Sequence, residues 1–175
     1  MKLTLKRDLP LLLAALTLAG AGLWWGNYTL SVEEYAFSSS RLPPGWDGGR
    51  LVVLSDLHGR RFGRDNSRLA AAVEAAHPDA IALVGDFVDE WTDPAYLRPL
   101  LERLTALAPC YFVSGNHEWA AGKMQETAAL LADCGVTWLH NGFVTLQRGG
   151  DSLLLAGIDD PNGYADQKTP QQVAR

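Results

Sequence analysis

Three short polar clusters, each ending an apolar run and evenly spaced along the chain, constrain the fold more than any other feature. They are Ser55-Asp56-Leu57-His58, Gly85-Asp86-Phe87-Val88-Asp89 and Gly115-Asn116-His117-Glu118. Asp56 and Asp86 are 30 residues apart, as are Asp86 and Asn116. The runs before them, residues 51–55 (LVVLS), 80–84 (AIALV) and 110–114 (CYFVS), read as short buried strands. A gap of about 30 residues accommodates one strand–helix–strand unit. All three clusters are therefore expected at one sheet edge, the carboxyl ends of parallel strands, where open α/β sheets bind ligands.

The intervening sequence supplies the helices. Residues 66–76 carry Leu69, Ala70, Val73 and Ala76 at helical spacing, with Asn66 as the expected cap. Asp93 and Pro94 open a second helix reaching about residue 107, and Pro99 must kink it or delay its start. Residues 123–133 read as a third helix, stopped by Gly135. Residues 136–139, 143–147 and 153–158 read as further strands. The last two are joined by the hairpin-like Arg148-Gly149-Gly150-Asp151. Strands alternating with helices predict an α/β fold, and the later strands, arriving without helices, predict mixed sheets. Residues 27–49 read as a connector with a candidate first strand at 35–39, broken by Pro43, Pro44, Gly45, Gly48 and Gly49.

At the N-terminus, Lys2, Lys6 and Arg7 precede an uncharged run over residues 9–26 (LPLLLAALTLAGAGLWWG). Its length is near the lower limit for crossing a bilayer. Trp24, Trp25 and Tyr28 suit an interfacial anchor, and Glu33 and Glu34 follow. The charge bias predicts an anchor in the inner (cytoplasmic) membrane, with a cytoplasmic N-terminus and the domain on the far side. Two other readings compete: a signal segment cleaved near Ala19-Gly20-Ala21, giving an exported domain, and a buried core helix. The expected organisation is an anchor or signal segment (1–26), a connector (27–49) and one domain (50–175).

A net charge of −5 with no strongly basic stretch argues against a nucleic-acid surface. Cys110 and Cys134 form no CxxC pair and read as buried small residues, with a disulfide open to them outside the cytoplasm.

Chemistry resides in the clusters. Asp56 and His58, two residues apart, can face one side of an extended chain and offer a metal one oxygen and one nitrogen. Asp86 has two oxygens with which to bridge cations, and Asn116 offers a neutral carbonyl. Such a set suits Mn, Fe or Zn better than Ca or an all-oxygen magnesium site. Taken singly, each cluster could be ordinary turn chemistry. Their order, spacing and position after strands make the joint reading much stronger. His77 reads as a surface or capping residue and His140 as structural. Asp159 and Asp160 read as turn residues or as support for the ligands.

Together SDLH, GDFVD and GNHE resemble the DxH, GDxxD and GNH[DE] pattern of the calcineurin-like metallophosphoesterase superfamily over roughly residues 50–160, and the N-terminal segment resembles its bacterial membrane-associated or exported branch. That resemblance implies a four-layer α/β/β/α sandwich with two divalent metal ions. Asp56 and His58 would hold the first metal, Asp86 would bridge, and Asn116 would hold the second. His117 would contact the phosphoryl group and help the leaving oxygen depart, with Asp89 and Glu118 orienting rather than ligating. The implied reaction is hydrolysis of phosphomonoesters or phosphodiesters, lipid-linked ones included, by a metal-activated hydroxide. Members of the superfamily continue with an isolated histidine and a GHTH-like segment. The chain reaches Arg175 without either, so the resemblance implies an incomplete sandwich and half of the ligand set. The competing reading is a catalytically silent, membrane-tethered module that binds metal or phosphate.

Overall fold

The computed structural model describes residues 5–163 and 168–173. The chain divides into two compact units, Met1–Glu34 and Tyr35–Arg175. The first is built on α1 (Leu5–Tyr28), which contains the apolar run. Leu9, Leu11, Leu12, Leu13, Leu16, Leu18, Leu23 and Trp25 are all exposed. These positions fall on two opposite faces of the helix, so there is no single apolar stripe. Helix formation agrees with the sequence reading. Yet among the described residues no helix is long and apolar enough to cross a membrane. Lys2 and the side chains of Lys6, Arg7, Trp24 and Tyr28 lie outside what is described.

In the second unit, β1 (Leu51–Leu54), β2 (Ala80–Val84), β3 (Cys110–Val113) and β4 (Thr137–Trp138) form one parallel sheet in the order β1-β2-β3-β4. The crossovers carry α2 (Ser67–Ala75), α3 (Arg98–Leu107) and, after the short α4 (Asn116–Ala120), α5 (Met124–Asp133). Successive crossovers of one hand and direction put these helices on one face. Ile81, Leu83, Cys110 and Phe112 are buried in alternation along β2 and β3, as are Leu69 and Val73 of α2, Leu100 and Leu104 of α3, and Leu130 and Leu131 of α5.

The opposite sheet face meets a hairpin of β5 (Gly142–Arg148) and β6 (Asp151–Gly157). Ala80 and Leu146 are buried there with Trp46, and Tyr111, Val144, Leu153 and Leu155 pack around them. The turn between these strands is Gly149-Gly150, both with positive φ (59° and 85°), as a two-residue type I′ turn needs. Arg148 ties the turn to the rest of the unit, donating from Nε to Asp79 at 2.9 Å and from Nη1 to the Gly45 carbonyl at 2.5 Å. A last short helix, α6 (Pro170–Val173), buries Val173.

The α/β class and all six later strands match expectation. Antiparallel pairing is present but confined to the hairpin's own sheet, while the four-stranded sheet is wholly parallel. Helices, parallel sheet and hairpin supply three successive layers among the described residues. Residues 35–39 form no strand, and Tyr35 and Phe37 stand exposed. Asp93 caps as expected, accepting from the Ala95 N–H at 2.8 Å. Pro99 delays the helix: Pro94–Leu97 is a 3-10 turn and α3 begins at Arg98. Asn66 adopts a left-handed conformation (φ 56°), and its side chain accepts from the Phe62 N–H at 2.8 Å instead of capping α2. Cys110 and Cys134 are free and buried, without a disulfide.

Candidate functional site

The ends of β1, β2 and β3 lie side by side, so their three polar clusters meet. Hydrogen bonding between the first two chains continues past the strands. The Asp56, His58 and Gly59 N–H groups donate to the carbonyls of Gly85, Asp86 and Phe87 at 3.1, 2.9 and 3.1 Å. The conformation is not extended, however. Asp56, His58 and Asp86 are left-handed, with φ of 56°, 44° and 57°. Leu57 turns inward and is buried, while Asp56 and His58 turn outward together, His58 Nε2 lying 3.6 Å from Asp56 Oδ1. The juxtaposition expected of Asp56-x-His58 is present, but it is reached through two left-handed residues instead of a pleated strand.

One donor atom each from His58, Asp86 and His117 lies within 4.8 Å of the others. The His58 and His117 rings meet edge to face, their centroids 4.5 Å apart. His117 Nδ1 is buried without a hydrogen-bond partner. Asp86 Oδ1 accepts from the His117 N–H at 2.8 Å, which fixes the carboxylate and leaves its second oxygen freer. Two imidazoles and a carboxylate form a mixed nitrogen–oxygen set that fits a borderline divalent ion, and the orphaned imidazole nitrogen is a polar atom for which the protein supplies no partner. Asp56 stands beside the trio. Asn116 opens α4, exposed, between Gly115 and His117.

Glu118 is completely buried and holds two of the loops together. Oε1 accepts from the Phe87 and Val88 N–H groups at 2.7 and 3.3 Å, and Oε2 from those of Asp86 and Gly115 at 2.9 Å each. Asp89 folds its own loop, accepting from the Trp91 N–H at 3.0 Å and the Thr92 hydroxyl at 2.5 Å. The Thr92 hydroxyl, against the opposing effect of desolvation, holds the Asp89 carboxyl below its ordinary range. Both side chains hold backbone groups of the loops that follow β2 and β3. Gly115 is required by proximity: a Cβ there would lie 2.6 Å from the Asp86 backbone nitrogen and collide with its carboxylate.

Two further anchors hold these loops, of which Lys123 had no sequence signal that singled it out. Lys123 Nζ donates to the carbonyls of Asp89, Glu90 and Thr92 at 3.0, 2.8 and 2.7 Å, closing the loop after Asp86. Asp159, read as a turn or supporting residue, is buried and accepts from the Ser114 N–H at 2.7 Å and Trp138 Nε1 at 2.9 Å. Its other oxygen is 2.7 Å from His140 Nδ1, so His140 is structural as expected. This network grips the residue immediately before Gly115. His77 ends α2 on the surface.

Residues 49–173 match the family model described as calcineurin-like phosphoesterase. The chain is 34% identical over 137 residues to a zebrafish (Danio rerio) transmembrane protein with metallophosphoesterase domain, covering 74% of this chain and 31% of that protein. It is 27% identical to the uncharacterized metallophosphoesterase YkuE of Bacillus subtilis, covering 81% of this chain and 53% of that one. It is also 30% identical to an Edwardsiella ictaluri UDP-2,3-diacylglucosamine hydrolase, covering 49% of this chain and 34% of that enzyme. The chain thus spans between about a third and a half of the length of these relatives. It belongs to the calcineurin-like phosphoesterase family.

Proposed function

From that membership we propose that the chain carries metal-binding residues of a phosphoesterase site, acting on phosphomonoesters or phosphodiesters. The observation that carries this reading is the convergence of His58, Asp86 and His117 within 4.8 Å at the ends of three adjacent parallel strands. In this reading Asp56, His58, Asp86 and Asn116 would hold two divalent ions. Bound ions would lower the pKa of coordinated water and neutralise charge on the phosphoryl oxygens. The protein's own part is orientation. Glu118 fixes the backbone under Asp86, and the His117 N–H fixes one Asp86 oxygen. His117 contacts the phosphoryl group and delivers a proton to the leaving oxygen.

The donor cluster favours one rival assignment, His117 as a metal ligand. Elemental analysis of His117→Ala and Asp86→Asn after equilibration with Mn(II) or Zn(II) separates the two. In the proposed reading Asp86→Asn loses bound metal, and His117→Ala keeps it while hydrolysis of bis(p-nitrophenyl) phosphate falls about a hundredfold or more. Equal metal loss in both variants rejects the proton-delivery role. Wild-type protein that takes up neither metal rejects the phosphoesterase reading.

We also propose membrane association through α1. Its support is a helix exposing leucines on two opposite faces without a charge between Leu9 and Gly26, since such a surface needs an apolar environment. Retention of the full chain in the pellet after alkaline extraction tests it, and release into the supernatant rejects it. A lipid-linked substrate draws support from the name of the diacylglucosamine hydrolase relative.

A further inference from the structure

Whole-chain charge conceals a local exception. Between Gly59 and Arg68 there are four arginines, Arg60, Arg61, Arg64 and Arg68, and one acid, Asp65. Four positive charges less one negative make this segment +3 in a chain of net −5. We propose that it forms an anion-binding subsite beside the metal ligands, selecting phosphate esters that bear a second phosphate. The proposal rests on the phosphoesterase reading and narrows its substrate class.

The segment is a folded loop. Arg60 N–H donates to the Leu57 carbonyl at 2.8 Å, and Arg68 N–H donates to that of Phe62 at 3.0 Å. Asn66 is fully buried at its centre, accepting from Phe62 N–H. With Leu57 and Asn66 turned inward, all four arginines are exposed. Loop and site are physically joined. The loop starts at His58, and Gly59 N–H donates to the Phe87 carbonyl. The guanidinium of Arg61 lies 5.6 Å over the Tyr96 ring. The Tyr96 hydroxyl donates to that same Phe87 carbonyl at 2.7 Å, one residue beyond Asp86.

Local electrostatics favour an anion. Arg64 and Arg68 flank the start of α2, where the helix dipole is already positive, and its first turn has no acid. Arg64 meets Asp65 at 3.6 Å, but at 96% side-chain exposure that pair contributes little. A surface that only confers solubility mixes signs. This one concentrates arginine, whose planar donors match phosphate oxygens, and contains no lysine.

The test measures binding of glucose 1,6-bisphosphate and glucose 6-phosphate to Mn(II)-loaded full-length protein by calorimetry. The wild type is expected to bind the bisphosphate about tenfold more tightly. In the Arg61→Gln/Arg64→Gln double variant the ratio should fall to within about twofold, with Mn(II) uptake and glucose 6-phosphate binding unchanged, and the Arg61→Lys/Arg64→Lys variant should recover part of it. A wild type that takes up Mn(II) yet binds both sugars equally overturns the subsite and leaves the phosphoesterase reading standing. A wild type without Mn(II) uptake removes both. If the glutamine variant keeps the bisphosphate preference but sediments less with phosphatidylglycerol vesicles, the loop serves a lipid surface and the proposal falls.

Discussion

Glu118→Gln is a small change in shape and a large one in hydrogen bonding. The carboxylate takes two N–H groups on each oxygen; Glu118 itself is completely buried, and so are the bonds from Phe87 and Val88. A glutamine can present an oxygen to one pair only. Its amide nitrogen then faces the other pair, Phe87 and Val88 or Asp86 and Gly115, donor against donor. A hydrogen bond to a charged acceptor is worth about 1.5–3 kcal/mol net, and an orphaned buried donor costs about 1–3 kcal/mol. One of the four contacts, at 3.3 Å, is weak. The expected loss is therefore about 3 kcal/mol, a large share of a typical total of about 5–15 kcal/mol. At about 4 °C per kcal/mol for a domain of this size, Tm should drop by roughly 12 °C. Urea titration followed by tryptophan fluorescence reads the free-energy change, and calorimetry reads Tm. The midpoint should move at constant m-value. If Glu118→Gln stays within about 0.5 kcal/mol of the wild type, the carboxylate is not the tie between the two loops, and the account of how Asp86 is held fails.

Gly115→Ala should weaken Mn(II) binding at least about tenfold, because its methyl displaces the Asp86 carboxylate; an unchanged affinity in a titration would show that the loops yield freely. Asp79 is held below the ordinary carboxyl range by the Arg50 N–H first, against desolvation, and then by Arg148. A folded-state pKa below the unfolded one gives stability that is fully present above the unfolded value, near pH 4, and is lost as pH falls through the folded value. The stability gap between wild type and Asp79→Asn should thus be constant from pH 5 to 7 and narrow in acid below pH 4; a gap that widens there contradicts the assignment. Burial pushes the Cys110 thiol up to about 12 and raises Cys134 as well. A disulfide-exchange reagent should leave both untouched in native protein and titrate two thiols after unfolding, whereas fewer than two would reveal a bond.

Much of the fold and of the site is legible in the sequence, for identifiable reasons. The runs ending at Asp56, Asp86 and Asn116 are short and apolar, and their equal spacing left room for one helix each, so their parallel alignment followed. The turn at Gly149-Gly150 was legible because few other residues accept positive φ twice in succession. Residues 35–39 misled because alternation without a partner strand is not a sheet, and Tyr35 and Phe37 find no layer to cover them among the described residues. Asn66 misled for a different reason: its backbone is left-handed, and its side chain accepts from the loop's Phe62 N–H instead of the helix. The basic loop runs against the expectation of no strongly basic stretch: its four arginines stand in the sequence, but averaging charge over the chain hides them. Asp159 and Lys123 act on backbone groups 45 and 34 residues away in sequence, a separation no local pattern encodes.

The left-handed residues carry the last step. Asp56, His58 and Asp86 occupy a region that costs an L-residue on the order of 1 kcal/mol, least for Asp and Asn, whose short side chains tolerate it. Had β1 stayed extended, alternation would have continued from Leu54 through Asp56 to His58 on one face. Instead the left-handed turns bury Leu57 and lift both polar side chains out, while the backbone hydrogen bonds to Gly85, Asp86 and Phe87 persist. Conformation and charge are thus both properties of the same aspartates, and substitution by alanine removes the two together. Asparagine separates them, because it accepts the left-handed region about as well as aspartate yet lacks the anionic oxygen. Asp56→Asn and Asp86→Asn should therefore unfold at nearly the wild-type urea midpoint while losing Mn(II). If instead each lost stability and metal in proportion, these carboxylates would be holding the loops together, and their service to a metal would be incidental.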